Sequence, residues 1–277
     1  MFKPGLRIIV GAAVVMGLGG LLAYTLIYVP NRVKCTGPHV KQIIGTDDPA
    51  CTAPSQTPKP AVTTSPEPAK TPVVDKSKYS TSDPTSIWVV VNKSRKLSDG
   101  FIPPDLVTPK VPLRLGQNND QMHLRPSAAQ AMEELVAAAS ATGLKLMLAS
   151  GYRPQSYQQS LYSDYVAKSG QAAADTFSAR PGYSEHQTGL AFDIEAASKT
   201  CELEQCFGDT PEGVWTAAHA HEHGLIVRYG KDRQTQTGYE YEPWHLRYVG
   251  VELATQLYSS GQTLEQFFDL PPAPNYL

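Results

Sequence analysis

The sequence predicts an α+β fold: a small, mostly antiparallel sheet flanked by helices, preceded by a transmembrane helix and a disordered, proline-rich linker. Three observations point there. Short apolar runs suited to strands fall between longer alanine-rich or amphipathic stretches, without the regular alternation of a parallel βαβ sheet. Glycine and polar clusters between several of these runs are short enough to be turns. Ahead of them the chain is first continuously apolar, then rich in proline.

In chain order, Lys3 and Arg7 precede an uncharged run from Ile8 to Val29. As a helix it spans roughly 33 Å, about one bilayer core. It is longer than the apolar centre of a cleaved signal peptide. It also ends in Tyr28-Val29-Pro30 rather than in a small-residue cleavage site, so residues 1–30 read as a retained anchor. Arg32 and Lys34 nearly balance Lys3 and Arg7, so charge does not set the orientation. The four cysteines do. Cys35 and Cys51 bound a short segment at 31–51, and Cys201 and Cys206 close "CELEQC". Neither spacing is the C-x-x-C of a structural zinc site, and two local disulfides are the simplest pairing. Disulfides require an oxidising compartment, which puts the rest of the chain outside the cytoplasm. The expectation is a single-pass membrane protein with an extracytoplasmic domain.

Residues 52–86 hold seven prolines and one aromatic residue, Tyr79. Such a segment buries too little apolar surface to offset its ordering entropy, which predicts a disordered tether. In a polyproline-like form it would reach on the order of 100 Å. A globular domain at 87–277 follows. "IWVVV" (87–91) reads as a buried strand. Residues 125–143 read as a helix with Pro126 in its first turn and Gly143 at its end. Residues 144–150 read as a strand, 156–168 as a helix, 210–224 as a helix closed by Gly224, 225–229 and 244–249 as strands, and 251–268 as a final helix. The net charge of −2 and pI near 6.4 leave no basic field for nucleic acid. Nothing in the sequence specifies an oligomeric state.

A catalytic zinc site takes three protein ligands and leaves a position open. His186 and Asp193 can converge if Gly189 turns the chain, because Asp193 then shares a strand face with Ala191 while Leu190, Phe192 and Ile194 line the other. His245 can supply the third donor from another strand. Glu242 stands three residues earlier, and Pro243 keeps it out of a helical conformation, so this is an extended segment rather than an H-E-x-x-H helix. Its carboxylate can act as a base. Arg153, at a strand end, can grip a carboxylate bidentately. Taken singly, each of these residues is as well explained by surface or hydrogen-bonding roles. Competing clusters are weaker: His219 and His223 lie one helical turn apart without a third ligand, "CELEQC" offers no base for a thiol nucleophile, and Ser150 has no activating neighbour.

Ser184, His186, Gly189, Ala191 and Asp193 fit S-x-H-x-x-G-x-A-x-D, and Glu242, Trp244 and His245 fit E-x-W-H. With "SGYR" (Ser150–Arg153) and the segment Val91–Leu106, the chain resembles the VanY-type zinc D-alanyl-D-alanine carboxypeptidases from about Trp88 to Gly261. The resemblance implies a Hedgehog/DD-peptidase-like fold and one Zn2+ held by His186, Asp193 and His245. It implies Glu242 as catalytic base, Arg153 in catalysis and substrate binding, and Ser184, Tyr152, Gln159 and Trp244 as further substrate contacts. The implied substrates are peptidoglycan stem peptides, with loss of the terminal D-alanine. L,D-carboxypeptidase or endopeptidase activity is the alternative within the enzyme class. A zinc-containing wall-binding module without activity is the alternative outside it, and the presence of Glu242 argues against that.

Overall fold

The structure, a computed structural model, describes residues 74–277. The expected anchor, the Cys35 and Cys51 pairing and most of the expected linker lie outside the described residues. Among the described residues no helix is long and apolar enough to cross a membrane.

The elements run α1 (Pro126–Ala141), β1 (Leu146–Ser150), α2 (Gln155–Ser169), α3 (Gln171–Phe177), β2 (Ala191–Ala196), α4 (Pro211–His219), β3 (Leu225–Tyr229), α5 (Gln234–Thr237), β4 (Glu242–Tyr248), α6 (Val251–Ser260) and α7 (Leu264–Phe267). The four strands form one antiparallel sheet in the order β1-β2-β4-β3. Central strand β2 is buried along its whole length. Met132 and Leu135 of α1 join Leu148, Phe192, Ile194 and Leu246 in the main core. Each such side chain contributes about 1.5–3 kcal/mol on burial, enough to hold the opposite, polar face of β2 and β4 in place.

Local signals account for the helix ends. Pro126 opens α1, and Gly143 follows its end with φ 89°. Thr210 caps α4 by accepting a hydrogen bond from the Gly213 N–H. The single helix expected over 251–268 is two. Gly261 ends α6 in the left-handed region, and Thr263 starts α7 with a capping box shared with Gln266. Helix α3 has no counterpart among the elements expected from the sequence.

Two expectations change. "IWVVV" is buried but is not a strand. Its carbonyls are taken by side chains: Arg247 Nη2 donates to Ile87 O and Val89 O, and Arg95 Nε donates to Val90 O. The backbone is satisfied by guanidinium groups, so no ladder forms. The expected linker also overlaps the folded part, because residues 74–86 pack on the domain. Val74 is buried in a second apolar cluster with Trp88, Val249, Leu253 and Phe267, Tyr79 meets the Trp88 ring edge-on at 4.9 Å, and Thr81 O accepts from Val90 N. Two apolar anchors and a backbone acceptor outweigh the polar composition of this stretch.

Candidate metal centre and active-site cleft

The sheet register builds the site. Ser150 of β1 lies opposite Asp193 of β2, and Asp193 lies opposite His245 of β4, so the three form one row across the sheet. His186 arrives from a 3-10 turn, Glu185–Thr188, whose exit is Gly189 at φ 66°. A Cβ on Gly189 would sit 2.9 Å from Leu106 Cδ2 and 3.0 Å from Arg125 Cγ, so both the backbone conformation and the packing require glycine. The turn expected at this residue is the one that brings His186 over the strand.

His186 Nε2 lies 3.4 Å from Asp193 Oδ2, and His245 Nδ1 lies 3.3 Å from Asp193 Oδ1. One donor atom from each of the three residues falls within 4.8 Å of the others. Donors bound tetrahedrally at zinc–nitrogen distances lie roughly 3.3 Å apart, so this spacing fits one zinc ion. The hydrogen bonding agrees. His186 Nδ1 donates to Gly151 O at 2.7 Å, which leaves Nε2 as the lone-pair donor, while Asp193 Oδ1 is buried with no hydrogen-bond partner. Burial opposes ionisation of Asp193, yet the two imidazoles facing it hold its pKa well below the usual carboxylate range. Burial and the nearby Arg153 guanidinium push His186 down, toward the neutral, ligating form. Burial also works against a charged His245, but its contacts with Asp193 and Glu185 outweigh this and raise it to about 9.

Glu242 opens β4 opposite Tyr229, with Oε2 at 3.6 Å from His245 Nδ1. Burial, partly offset by the His245 charge, raises its pKa to about 8. Arg153 follows β1. Its Nη2 donates to Ser150 Oγ at 3.1 Å and lies 3.6 Å from Asp193 Oδ2, its Nη1 donates to Gln158 Oε1 at 3.0 Å, and its Nε has no partner. These groups share one cleft of about 300 Å³ with Ser184 and Trp244.

Tyr152 and Gln159 do not enter that cleft. Both line a neighbouring groove with Phe101 and Ile102, and Gln159 is exposed and bonded to Ser163. It is the adjacent, buried Gln158 that holds Arg153, anchored in turn by donating to Ala179 O at 2.7 Å. His219 is half-buried and pairs with Glu222, and His223 faces Glu134, so the two histidines share no centre. Cys201 and Cys206 form a disulfide, and Leu203 and Gln205 within that loop line the same cleft as Arg153. Glu185 gives no local sequence signal, yet its buried carboxylate faces His245 Nε2 at 3.6 Å and is held by Arg228 and Arg247.

An open three-ligand centre, with a buried carboxylate beside it and a guanidinium across from it, defines a metallopeptidase-type hydrolase. Comparison with known proteins narrows this. Residues 121–251 match the family model for VanY, D-alanyl-D-alanine carboxypeptidase. The bifunctional D-Ala-D-Ala dipeptidase and D-Ala-D-Ala carboxypeptidase VanXYC of Enterococcus gallinarum is 33% identical over 65% of this chain and 92% of its own. Among solved structures, the LdcB LD-carboxypeptidase is 39% identical, with a TM-score of 0.64 over 67% of this chain and 87% of that one. The vancomycin resistance D,D-pentapeptidase VanY in complex with Zn(II) is 31% identical, with a TM-score of 0.54 over 65% and 97%. The chain belongs to the VanY D-alanyl-D-alanine carboxypeptidase family, and it is a zinc metallocarboxypeptidase.

Proposed function

We propose that this enzyme removes the terminal D-alanine from peptidoglycan stem peptides as a D,D-carboxypeptidase, outside the cytoplasm and tethered to the membrane. The observation that carries this reading is the convergence of His186, Asp193, His245, Glu242 and Arg153 on one cleft. Location is supported by the apolar run Ile8–Val29 and by the Cys201–Cys206 bond, which requires oxidising surroundings.

His186, Asp193 and His245 would hold the zinc, which when bound supplies Lewis acidity toward water and the scissile carbonyl. Glu242 takes the proton of the attacking water and returns it to the departing D-alanine amine. Burial raises the proton affinity of Glu242 above that of a free carboxylate, which favours holding that proton between the two steps. Arg153, in the cleft wall, grips the free C-terminal carboxylate, which selects the chain end. Gln158 and Ser150 fix the plane of that guanidinium.

A second reading, L,D-carboxypeptidase action on tetrapeptide stems, is favoured by the higher identity and TM-score of the LdcB likeness. Both readings remove a D-alanine and differ in the residue before the cut. The test is incubation with defined pentapeptide and tetrapeptide stems, with chelator and after zinc is restored, read by mass spectrometry. The expected result is zinc-dependent shortening of pentapeptides by one D-alanine. Intact pentapeptides beside shortened tetrapeptides would replace the D,D assignment with the L,D one, and no shortening of either would remove both.

A further inference from the structure

We propose that Glu185 is a positioning residue of the metal centre: it accepts the Nε2 proton of His245 and so turns the Nδ1 lone pair of that ring toward the ion. The inference rests on the zinc-site reading and is independent of which stem peptide is cut.

A neutral imidazole carries its proton on one nitrogen, and the acceptor facing the other side decides which. Glu185 Oε2 and His245 Nε2 are both buried, both without a hydrogen-bond partner, and they face each other at 3.6 Å. The other carboxylate oxygen is already taken. Oε1 accepts from Arg228 Nε at 2.8 Å and from Arg247 Nη1 at 2.9 Å. The two arginines are themselves fixed: Arg228 donates twice to Glu265, at 3.0 and 2.6 Å, and Arg247 Nη2 donates to Ile87 O and Val89 O. Glu265 in turn accepts from Asn92. Two arginines and two glutamates thus make a closed, charge-balanced set that orients one oxygen toward a ligand ring.

A purely structural network gives a poorer account. Buried ion pairs contribute little net stability once their desolvation is counted, and here the unbonded oxygen faces a ligand ring. The companion ligand follows the same rule, since His186 Nδ1 donates to Gly151 O. An acceptor on the non-ligating nitrogen is what orients a metal-binding histidine and raises its basicity.

The test compares Glu185→Gln with Glu265→Gln in the full-length protein, with zinc affinity measured by competition against a chromogenic chelator and folding by circular dichroism. Glu185→Gln is expected to weaken zinc about 10- to 100-fold while the fold is kept. Glu265→Gln disturbs the same network without facing His245. It is expected to lower the melting temperature and leave zinc affinity within about twofold, because Arg247 still holds Glu185 Oε1 and Oε2 still faces the ring. Zinc affinity unchanged in Glu185→Gln, or lost equally in both variants, overturns the proposal. A parent protein that binds no zinc instead removes the zinc-site reading beneath it. Should Glu185→Gln not fold, long-range 1H–15N correlation on the zinc-loaded parent decides. His245 must be protonated at Nε2 and bound through Nδ1, and the opposite pattern overturns the assignment.

Discussion

Glu242 and His245 sit three residues apart on one strand and differ in what each must do with a proton. Replacing Glu242 with alanine removes the base and none of the three metal donors. Hydrolysis of stem peptides is expected to fall at least about 10²-fold while zinc content by atomic absorption stays at that of the parent. An active Glu242→Ala enzyme would move the base elsewhere. His245, raised to about 9, carries a proton at neutral pH that a ligand must give up. Zinc binding at pH 7 is therefore expected to release at least about one proton, and affinity to rise with pH until it levels above about pH 9. Calorimetry in buffers of different ionisation enthalpy measures the release, and zero protons would contradict the assigned contacts. The ligands were legible in the sequence through the resemblance carried by S-x-H-x-x-G-x-A-x-D and E-x-W-H, whereas the spacing around Gly189 and Pro243 alone only permitted their convergence. Gln158 was not: one step along a helix turns a side chain by about 100°, and α2 offers no strong apolar stripe to fix which glutamine faces inward. Glu185, Arg228, Arg247 and Glu265 were not legible either, because their pairing depends on tertiary approach between distant segments.

At the scale of elements, the Cys201–Cys206 loop has a role that its sequence did not disclose. Cys201 and Leu203 both hold positive φ, 55° and 50°, and Arg114 pairs with Glu202, so the loop is fixed in a conformation that non-glycine residues avoid. That conformation sets Leu203 and Gln205 into the cleft wall. The double variant Cys201→Ser, Cys206→Ser is expected to lose about 2 kcal/mol of stability, since even a short covalent loop restrains the unfolded chain. KM for stem peptides is expected to rise several-fold, with zinc affinity unchanged. Thermal unfolding, steady-state kinetics and chelator competition separate the three, and an unchanged KM would make the loop a stability device alone. The strands around the site were legible from their apolar runs. The 87–91 segment misled because a continuous apolar run reports burial, and burial is equally satisfied by extended chain whose carbonyls are met by arginines.

For the whole molecule, the described chain holds two apolar clusters, and the stretch before Ile87 helps close the second. A protein beginning at Ile87 would lose the burial of Val74, the Tyr79–Trp88 contact and the Thr81 carbonyl that accepts from Val90 N and Arg95 Nη2. It is expected to be less stable by at least about 2 kcal/mol than one beginning before Val74, a drop of several degrees in melting temperature. Equal melting temperatures would show that these contacts add nothing. Composition concealed them, because two apolar side chains are easily lost among prolines, serines and lysines, whereas the α+β class needed only the rhythm of runs and turns. The row Ser150–Asp193–His245 has a further consequence. Two donors on neighbouring strands have their spacing set by the sheet ladder, so metal-free protein is expected to fold with both already side by side. Its activation would then follow the supply of the ion, with no wait for a chain to refold.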